Sequence, residues 1–460
     1  MNINLTVVIL ASIGYFFFII YTRKSNTFEG YSVANRSVGF FLLFASLSAN
    51  FIGGGFTLGL TQQGFSSGYF YLLIASAYGL GKIIEGLILA PKLRSKFTDA
   101  QSIGDVVAGH KGHNNKILQF LVGFISLGLL VGLSVVMSKA GGEILNNLLG
   151  IPKLVGTIII TTIVTGYSVF GGLKSTILTD TVQFILFIIL FPLLAFFVYS
   201  NSNFDPALFL ENASVLTTNA FKTTSGLDIF GLSLAWLLGE MLMPFTTHTI
   251  LAGKSSKIAK RALCFSGILM VLWLFCMLTL GIMAKTVLPN INNDDQVLLN
   301  LSEIYFPIGF FGLFAVAIVG VIMSSQDALI NCASVVCAKD IISVIKPLGE
   351  KRIVRFSKIA GIGVGILSII LASFIPSIIE GLLLFYSIWV PSVLTVTVFA
   401  IFLNNPSYQA AIVALIVGTI SSILWNLFQW KDVIPNILVG LILSSSSYLI
   451  IHIFIKKRKR

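Results

Sequence analysis

Long apolar runs alternate along the chain with short polar, basic connections. Each run approaches the roughly 20 residues that a helix needs to cross a bilayer. In order they cover 3–22, 38–60, 68–90, 116–145, 152–171, 178–199 and 228–252, then 262–286, 304–334, 357–374, 379–403, 409–427 and 435–455. The pattern therefore predicts an all-α polytopic membrane protein with about thirteen spans, taken below as spans 1 to 13. Two of them are interrupted. Span 2 contains Ser46 to Gly55, SLSANFIGGG, and each glycine there costs a helix about 1 kcal/mol relative to alanine. Irregular backbone survives in hydrocarbon only where it is buried in protein or lines a cavity, and its freed carbonyls suit a small hard cation. Close helix packing through small residues is the alternative reading. Span 7 is interrupted at Gly239-Glu240-Met241-Leu242-Met243-Pro244.

Spans 2 and 7 lie five helices apart and enter the membrane from opposite sides. Equivalent broken helices in halves of opposite orientation point to an inverted-repeat carrier with its site at the midplane. The expected organisation is one transmembrane domain over 1–460. Residues 1–37 form an extra helix and loop, 38–200 (spans 2–6) the first repeat, 201–403 (spans 7–11) the second, and 404–460 the last helices with a basic tail.

Composition agrees: 56% of residues are hydrophobic and 10% charged, and the mean hydropathy is +0.95, which no soluble core requires. The net charge of +12 does not indicate nucleic acid, because the basic residues fall in short loops on one predicted side. They include Arg23, Lys24 and Arg36, Lys92 to Lys96, Lys254 to Arg261, Lys346 to Arg355 and the tail from Lys456. By the positive-inside rule this places the N-terminus outside and the C-terminus in the cytoplasm. Arg23 and Lys24 follow the first run, the reverse of a cleaved signal peptide. The segment 200–227 reads as a polar external loop. Compact loops suggest a bacterial inner membrane. Cys264, Cys276, Cys332 and Cys337 show no metal-ligand spacing and read as packing thiols.

Span 9 carries Gly320-Val321-Ile322-Met323-Ser324-Ser325-Gln326-Asp327-Ala328. Helical spacing puts Val321, Ser324 and Ser325 on one face. Two hydroxyls could complete an all-oxygen, low-charge cage for sodium with carbonyls from span 2. Alternatively, the serines bond back to carbonyls one turn earlier. Among ionisable residues inside spans, Lys82 with Glu85 and Lys139 with Glu143 are spaced to neutralise one another. Glu240 has no such neighbour; it either faces a solute or fastens the break. His248 reads as a hydrogen-bonded packing residue. No nucleophile with an adjacent base appears, so an enzyme is not expected.

Val169 to Gln183, VFGGLKSTILTDTVQ, resembles the signature of the sodium:solute symporters, approximately GGLKAVxxTDxxQ, and the resemblance extends over nearly the whole chain. It implies a LeuT-type fold of five plus five helices and sodium-coupled uptake of a small organic solute, with sodium as the coupling ion and no other cofactor. By similarity, sodium would be held by carbonyls near Leu43 and Ser46, the carbonyl of Val321 and the hydroxyls of Ser324 and Ser325. Asp180 matches the signature aspartate linked to sodium release or to a second sodium. Asp327 stands where members with a second sodium carry serine or threonine; it could ligate a cation, take a proton, or bond to Asn331.

Solute contacts are expected from Ser48, Asn50, Phe51 and Gly53 in span 2 and from Trp236, Glu240, Met243 and Thr246 in span 7. Tyr69 and Tyr71 fit interfacial anchors better. Choline carriers have tryptophan at the position of Phe51 and, by an approximate alignment, opposite Met243, so the aromatic cage for a quaternary ammonium is thin here. A proline-like amino acid or a carboxylate such as pantothenate fits a half-helix N-terminus better. The implied partners are the solute, sodium and the bilayer, with no nucleic acid and no required oligomer. A proton-coupled carrier of the same fold and a non-transporting solute sensor are the alternatives.

Overall fold

A computed structural model describes residues 27–110, 113–201, 203–291, 296–375, 378–428 and 435–458. Span 1 and the orientation of the N-terminus lie outside them. Gly109–His110 and His113–Asn114 form a short antiparallel ladder; the rest is helices and their connections. In chain order the main helices are α1 (Phe40–Phe51), α2 (Phe56–Ser67), α3 (Phe70–Lys96), α4 (Lys116–Leu149) and α5 (Lys153–Tyr199). They continue with α6 (Gly226–Leu238), α7 (Pro244–Ala252) and α8 (Ser256–Val287). The last five are α9 (Phe310–Ile345), α10 (Glu350–Phe374), α11 (Gly381–Phe402), α12 (Tyr408–Leu427) and α13 (Asn436–Arg458). Among the described residues nine helices are long and apolar enough to cross a membrane, or ten with the bent pair α1–α2 taken as one span.

Burial ranks the helices. In α9 83% of the apolar window is buried within the protein, against 22% in α13, so α9 is the central post and α13 the rim. The charged heads inside the bundle sit mainly on helix ends and breaks, where carbonyls lack helical donors. Lys96 Nζ donates to the carbonyls of Ala400 (2.8 Å) and Leu403 (2.7 Å) at the end of α11. Lys139 Nζ reaches Ile375 O at 2.6 Å. The two carboxylate pairings expected from sequence are present, Lys82–Glu85 at 3.2 Å and Lys139–Glu143 at 3.7 Å.

Helix α5 has 47 residues, and a straight helix of that length would run about 70 Å. It is broken instead at Gly172 (φ 69°, ψ −175°), between the stretches read as spans 5 and 6. This is backbone essentially reserved for glycine, which gives the second glycine of the GGLK sequence a physical reason. A Cβ there would also lie 2.9 Å from Tyr31 Cδ2 and 3.2 Å from its backbone. Gly172→Ala is expected to lower stability by roughly 2–6 kcal/mol, the sum of backbone strain and a forced shift of Tyr31. A thermal melt in detergent checks this, and an unchanged melting temperature would refute it.

The segment 200–227 departs from the expected polar loop. Pro206–Thr223 is an 18-residue helix rather than a loop. Asp205 caps it, its Oδ1 accepting from the backbone N–H of Ala207 at 2.8 Å and Leu208 at 3.4 Å, and proline occupies the first turn, where its missing N–H costs nothing. Thr217 Oγ1 accepts from the Tyr69 N–H at 2.8 Å and ties this helix to the start of α3. The Asp-Pro pair was the available signal, masked by the polar residues after it.

Candidate functional site

The break in span 2 falls after Phe51. Ser48 O still accepts the Ile52 N–H at 2.9 Å, but Ile52 has left helical geometry (φ −79°, ψ 60°). The axis then turns by 68°. Carbonyls in the last turn of a helix lose their i+4 donors, so those of Ala49 and Asn50 become available. Ser324 Oγ of α9 donates to Ala49 O at 3.1 Å and Ser325 Oγ to Asn50 O at 3.2 Å. Both hydroxyls also lie within reach of Val321 O, at 3.1 and 3.4 Å. The two readings of the serine pair, back-bonding and facing span 2, thus hold together. Three carbonyls and two hydroxyls converge at the negative end of the α1 dipole, a neutral all-oxygen set that fits a monovalent hard cation.

The carbonyls that the serine hydroxyls reach differ from those of Leu43 and Ser46 expected by similarity, which lie one to two turns earlier, where the helix is still intact. Ser46 serves elsewhere: its Oγ donates to Asp180 Oδ2 at 2.5 Å. Gly53 and Gly54 supply both the break and close packing. A Cβ on Gly53 would lie 3.0 Å from Ser325 Oγ, and one on Gly54 would lie 2.5 Å from Ile322 Cδ1.

Asp180 and Asp327 are fully buried and lie within interaction range of each other. Thr179 Oγ1 donates to Asp327 Oδ2 at 3.4 Å, and Ser168 Oγ to the Asp327 carbonyl at 2.9 Å. The remaining oxygen of each carboxyl group has no hydrogen-bond partner among the described residues. Two acids so placed in low dielectric need a cation or a proton between them. Asn331 is not the partner of Asp327, since neither of its side-chain polar atoms is bonded among the described residues. His248 is packed as expected, 1% exposed, but neither ring nitrogen has a hydrogen-bond partner among the described residues.

The second break runs from Gly239 to Met243 and is held by side chains of α3 and α11. Lys82 Nζ donates to the Glu240 carbonyl at 2.6 Å and to Glu85 Oε2 at 3.2 Å. Glu85 Oε1 accepts from the N–H of Leu242 at 3.1 Å, a non-glycine residue at φ 49°. Trp389 Nε1 donates to Met241 O at 3.1 Å. Beyond the break Pro244 starts α7 at a position that needs no N–H donor. The start of the first broken span and the end of the second are then stitched together, Val38 N–H to Ala252 O at 3.1 Å and Lys254 N–H to Val38 O at 2.9 Å.

Between the breaks lies a cavity. Of the residues proposed to touch a solute, Asn50, Phe51, Gly53 and Glu240 line it, together with Ser325 of the serine pair. Ser48, Trp236, Met243 and Thr246 are not in its lining. Ser48 Oγ pairs with Ser266 Oγ at 2.9 Å, Trp236 stacks edge-on behind Phe56 at 4.9 Å between centroids, and Met243 and Thr246 are fully buried. Tyr386, Phe56 and Phe245 also line the cavity. Tyr386 comes from α11, 146 residues from Glu240, and no local sequence signal marks it. Tyr69, read as an interfacial anchor, stacks on Phe275 and shares a hydrogen bond of 2.9 Å with Thr279.

This arrangement agrees with what the chain is similar to. The model of the sodium:solute symporter family matches residues 31–418. The high-affinity proline transporter PutP of Bacillus subtilis (strain 168) is 26% identical over 457 residues, covering 96% of this chain and 95% of the relative. The sodium/pantothenate symporter of Haemophilus influenzae is also 26% identical, over 449 residues, with coverages of 91% and 90%. Among solved structures, a substrate-bound, outward-open Na+-coupled sialic acid symporter superposes with a TM-score of 0.83 at 17% identity, covering 98% of this chain and 97% of that one. A nucleobase-cation-symport-1 family transporter in a closed conformation follows the same fold at a TM-score of 0.58 and 14% identity. These relatives are transporters rather than enzymes, and the match from Tyr31 to Gly418 means that this chain belongs to the sodium:solute symporter family.

Proposed function

We propose that this symporter uses an inward sodium gradient to import a small organic solute, proline-like or pantothenate-like, across a bacterial inner membrane by alternating access. The observation that carries the proposal is the pairing of Ser324 and Ser325 with the carbonyls of Ala49 and Asn50 across two helices. A cation there joins α1 to α9 beside the cavity, and its departure frees them to separate. The two breaks support a division into five plus five helices of opposite orientation, with spans 12 and 13 added at the rim. The basic loops support a cytoplasmic C-terminus. Each charge moved inward gains about 2.3 kcal/mol per 100 mV.

Asp180 and Asp327 favour a second reading, in which a proton or a further cation moves with the solute. Reconstituted vesicles separate the readings. Uptake of labelled proline or pantothenate is expected under an inward sodium gradient and not under an equal potassium gradient. Uptake driven equally well by a pH gradient without sodium would replace sodium coupling with proton coupling at the acidic pair.

A further inference from the structure

Glu240 carries the only charged side chain among the described residues that line the cavity, and its surroundings leave that charge uncompensated. Both of its carboxylate oxygens accept from tyrosine hydroxyls, Oε2 from Tyr78 at 2.7 Å and Oε1 from Tyr386. The nearby cation, Lys82, gives its hydrogen bonds to the Glu85 carboxylate and to the backbone carbonyl of Glu240. Lys82 thus offsets Glu85, and one negative charge in excess remains at the cavity wall. Neutral hydroxyls orient a carboxylate without balancing it, and each of its oxygens keeps a lone pair beyond the one that the tyrosine uses. These two tyrosines, Tyr78 and Tyr386, belong to one ring cluster with Phe56 and Trp236, neighbouring centroids 4.4–6.3 Å apart, and Phe56 lines the cavity beside Glu240. A carboxylate beside aromatic rings at a cavity wall is the chemistry that receives an ammonium group.

We infer that Glu240 is a specificity-determining residue that selects solutes bearing a protonated primary or secondary amine, whose N–H groups bond to its carboxylate. This rests on the symport reading and narrows it: a proline-like ammonium fits, whereas a pantothenate-like acid without a basic nitrogen does not. A quaternary ammonium lacks the N–H donors that the carboxylate can still accept.

The test is the melting temperature of the purified full chain in sodium and in potassium, with matched solutes. L-Proline is set against tetrahydrofuran-2-carboxylate, L-alanine against L-lactate, and an amine series from methylamine to spermidine against pantothenate and choline. At least one amine-bearing solute is expected to raise the melting temperature in sodium, with no response from its amine-free partner. Glu240→Gln should weaken that solute roughly 30-fold or more while keeping the response to sodium alone, and Glu240→Asp should retain part of the affinity. Silence of the whole amine arm, an equal shift from pantothenate or choline, or an undiminished solute response in Glu240→Gln would overturn the assignment. A wild-type protein indifferent to sodium over potassium would instead overturn the symport reading and this inference with it.

Discussion

Sodium is expected to stop stabilising the protein when Ser324 and Ser325 are both replaced by alanine. At a sodium concentration one hundred times its dissociation constant, binding to the folded state alone adds about 2.7 kcal/mol. In the double variant that increment should disappear, because two of the five oxygens are lost and the three carbonyls that remain are split between two helices. Each single variant should retain a response at higher sodium. The fold should survive, since an alanine methyl fits the space of each hydroxyl and the loss is confined to the donors to the Ala49 and Asn50 carbonyls. Melting in sodium against potassium at constant ionic strength is the measurement. A double variant that keeps the wild-type sodium increment would move the cation elsewhere, to Asp180 and Asp327 first.

The second large effect concerns folding rather than transport. Lys82 is 1% exposed and Glu85 fully buried, so Lys82→Met strands a carboxylate in the bundle and removes the donor to the Glu240 carbonyl. Breaking a buried ion pair from one side costs about 3–5 kcal/mol. Adding Glu85→Gln should recover much of the loss, because the stranded charge and not the missing bond is the larger cost. The recovery should be incomplete. A neutral amide still accepts from the Leu242 N–H but leaves the Glu240 carbonyl without a donor, and Leu242 sits in a left-handed conformation that costs of order 1–3 kcal/mol. Melting curves of the single and double variants form the cycle, and equal loss in both would show that the pair is not the source of the effect.

The breaks at Gly53 and Gly239 and the serine pair were legible in the sequence because they are local. Three glycines in a row or a glycine five residues before a proline weaken a helix from within, and two serines on one face stay on one face. The carbonyls that face the serine pair were not legible at that level. Their identity depends on the last residue whose i+4 bond survives, and a shift of one turn separates Ser46 from Asn50. The setting of Glu240 was hidden for another reason: its tyrosines arrive from 162 and 146 residues away, and nothing near either marks the contact. His248 shows the converse, a histidine whose setting is packing without hydrogen bonds, where the sequence pattern suggested both.

Glycine appears in one further role at the contact of α2 and α3 with α8. A Cβ on Gly64 would collide with the carbonyl of Leu278, and one on Gly281 with the carbonyl of Thr61. Gly79 and Gly267 face each other in the same way, each 2.6 Å from the other's carbonyl oxygen by the position of an added Cβ. Backbone therefore touches backbone at two levels along these helices, and neither can slide past the other without carbonyls meeting Cα atoms. Mechanically the three helices form a braced frame, stiff in shear, whereas α1 meets α9 through hydroxyl hydrogens that a single ion could displace. Strain applied to the bundle would then concentrate at the bend of residues 52–54, and the frame would carry it across the membrane as a lever carries load.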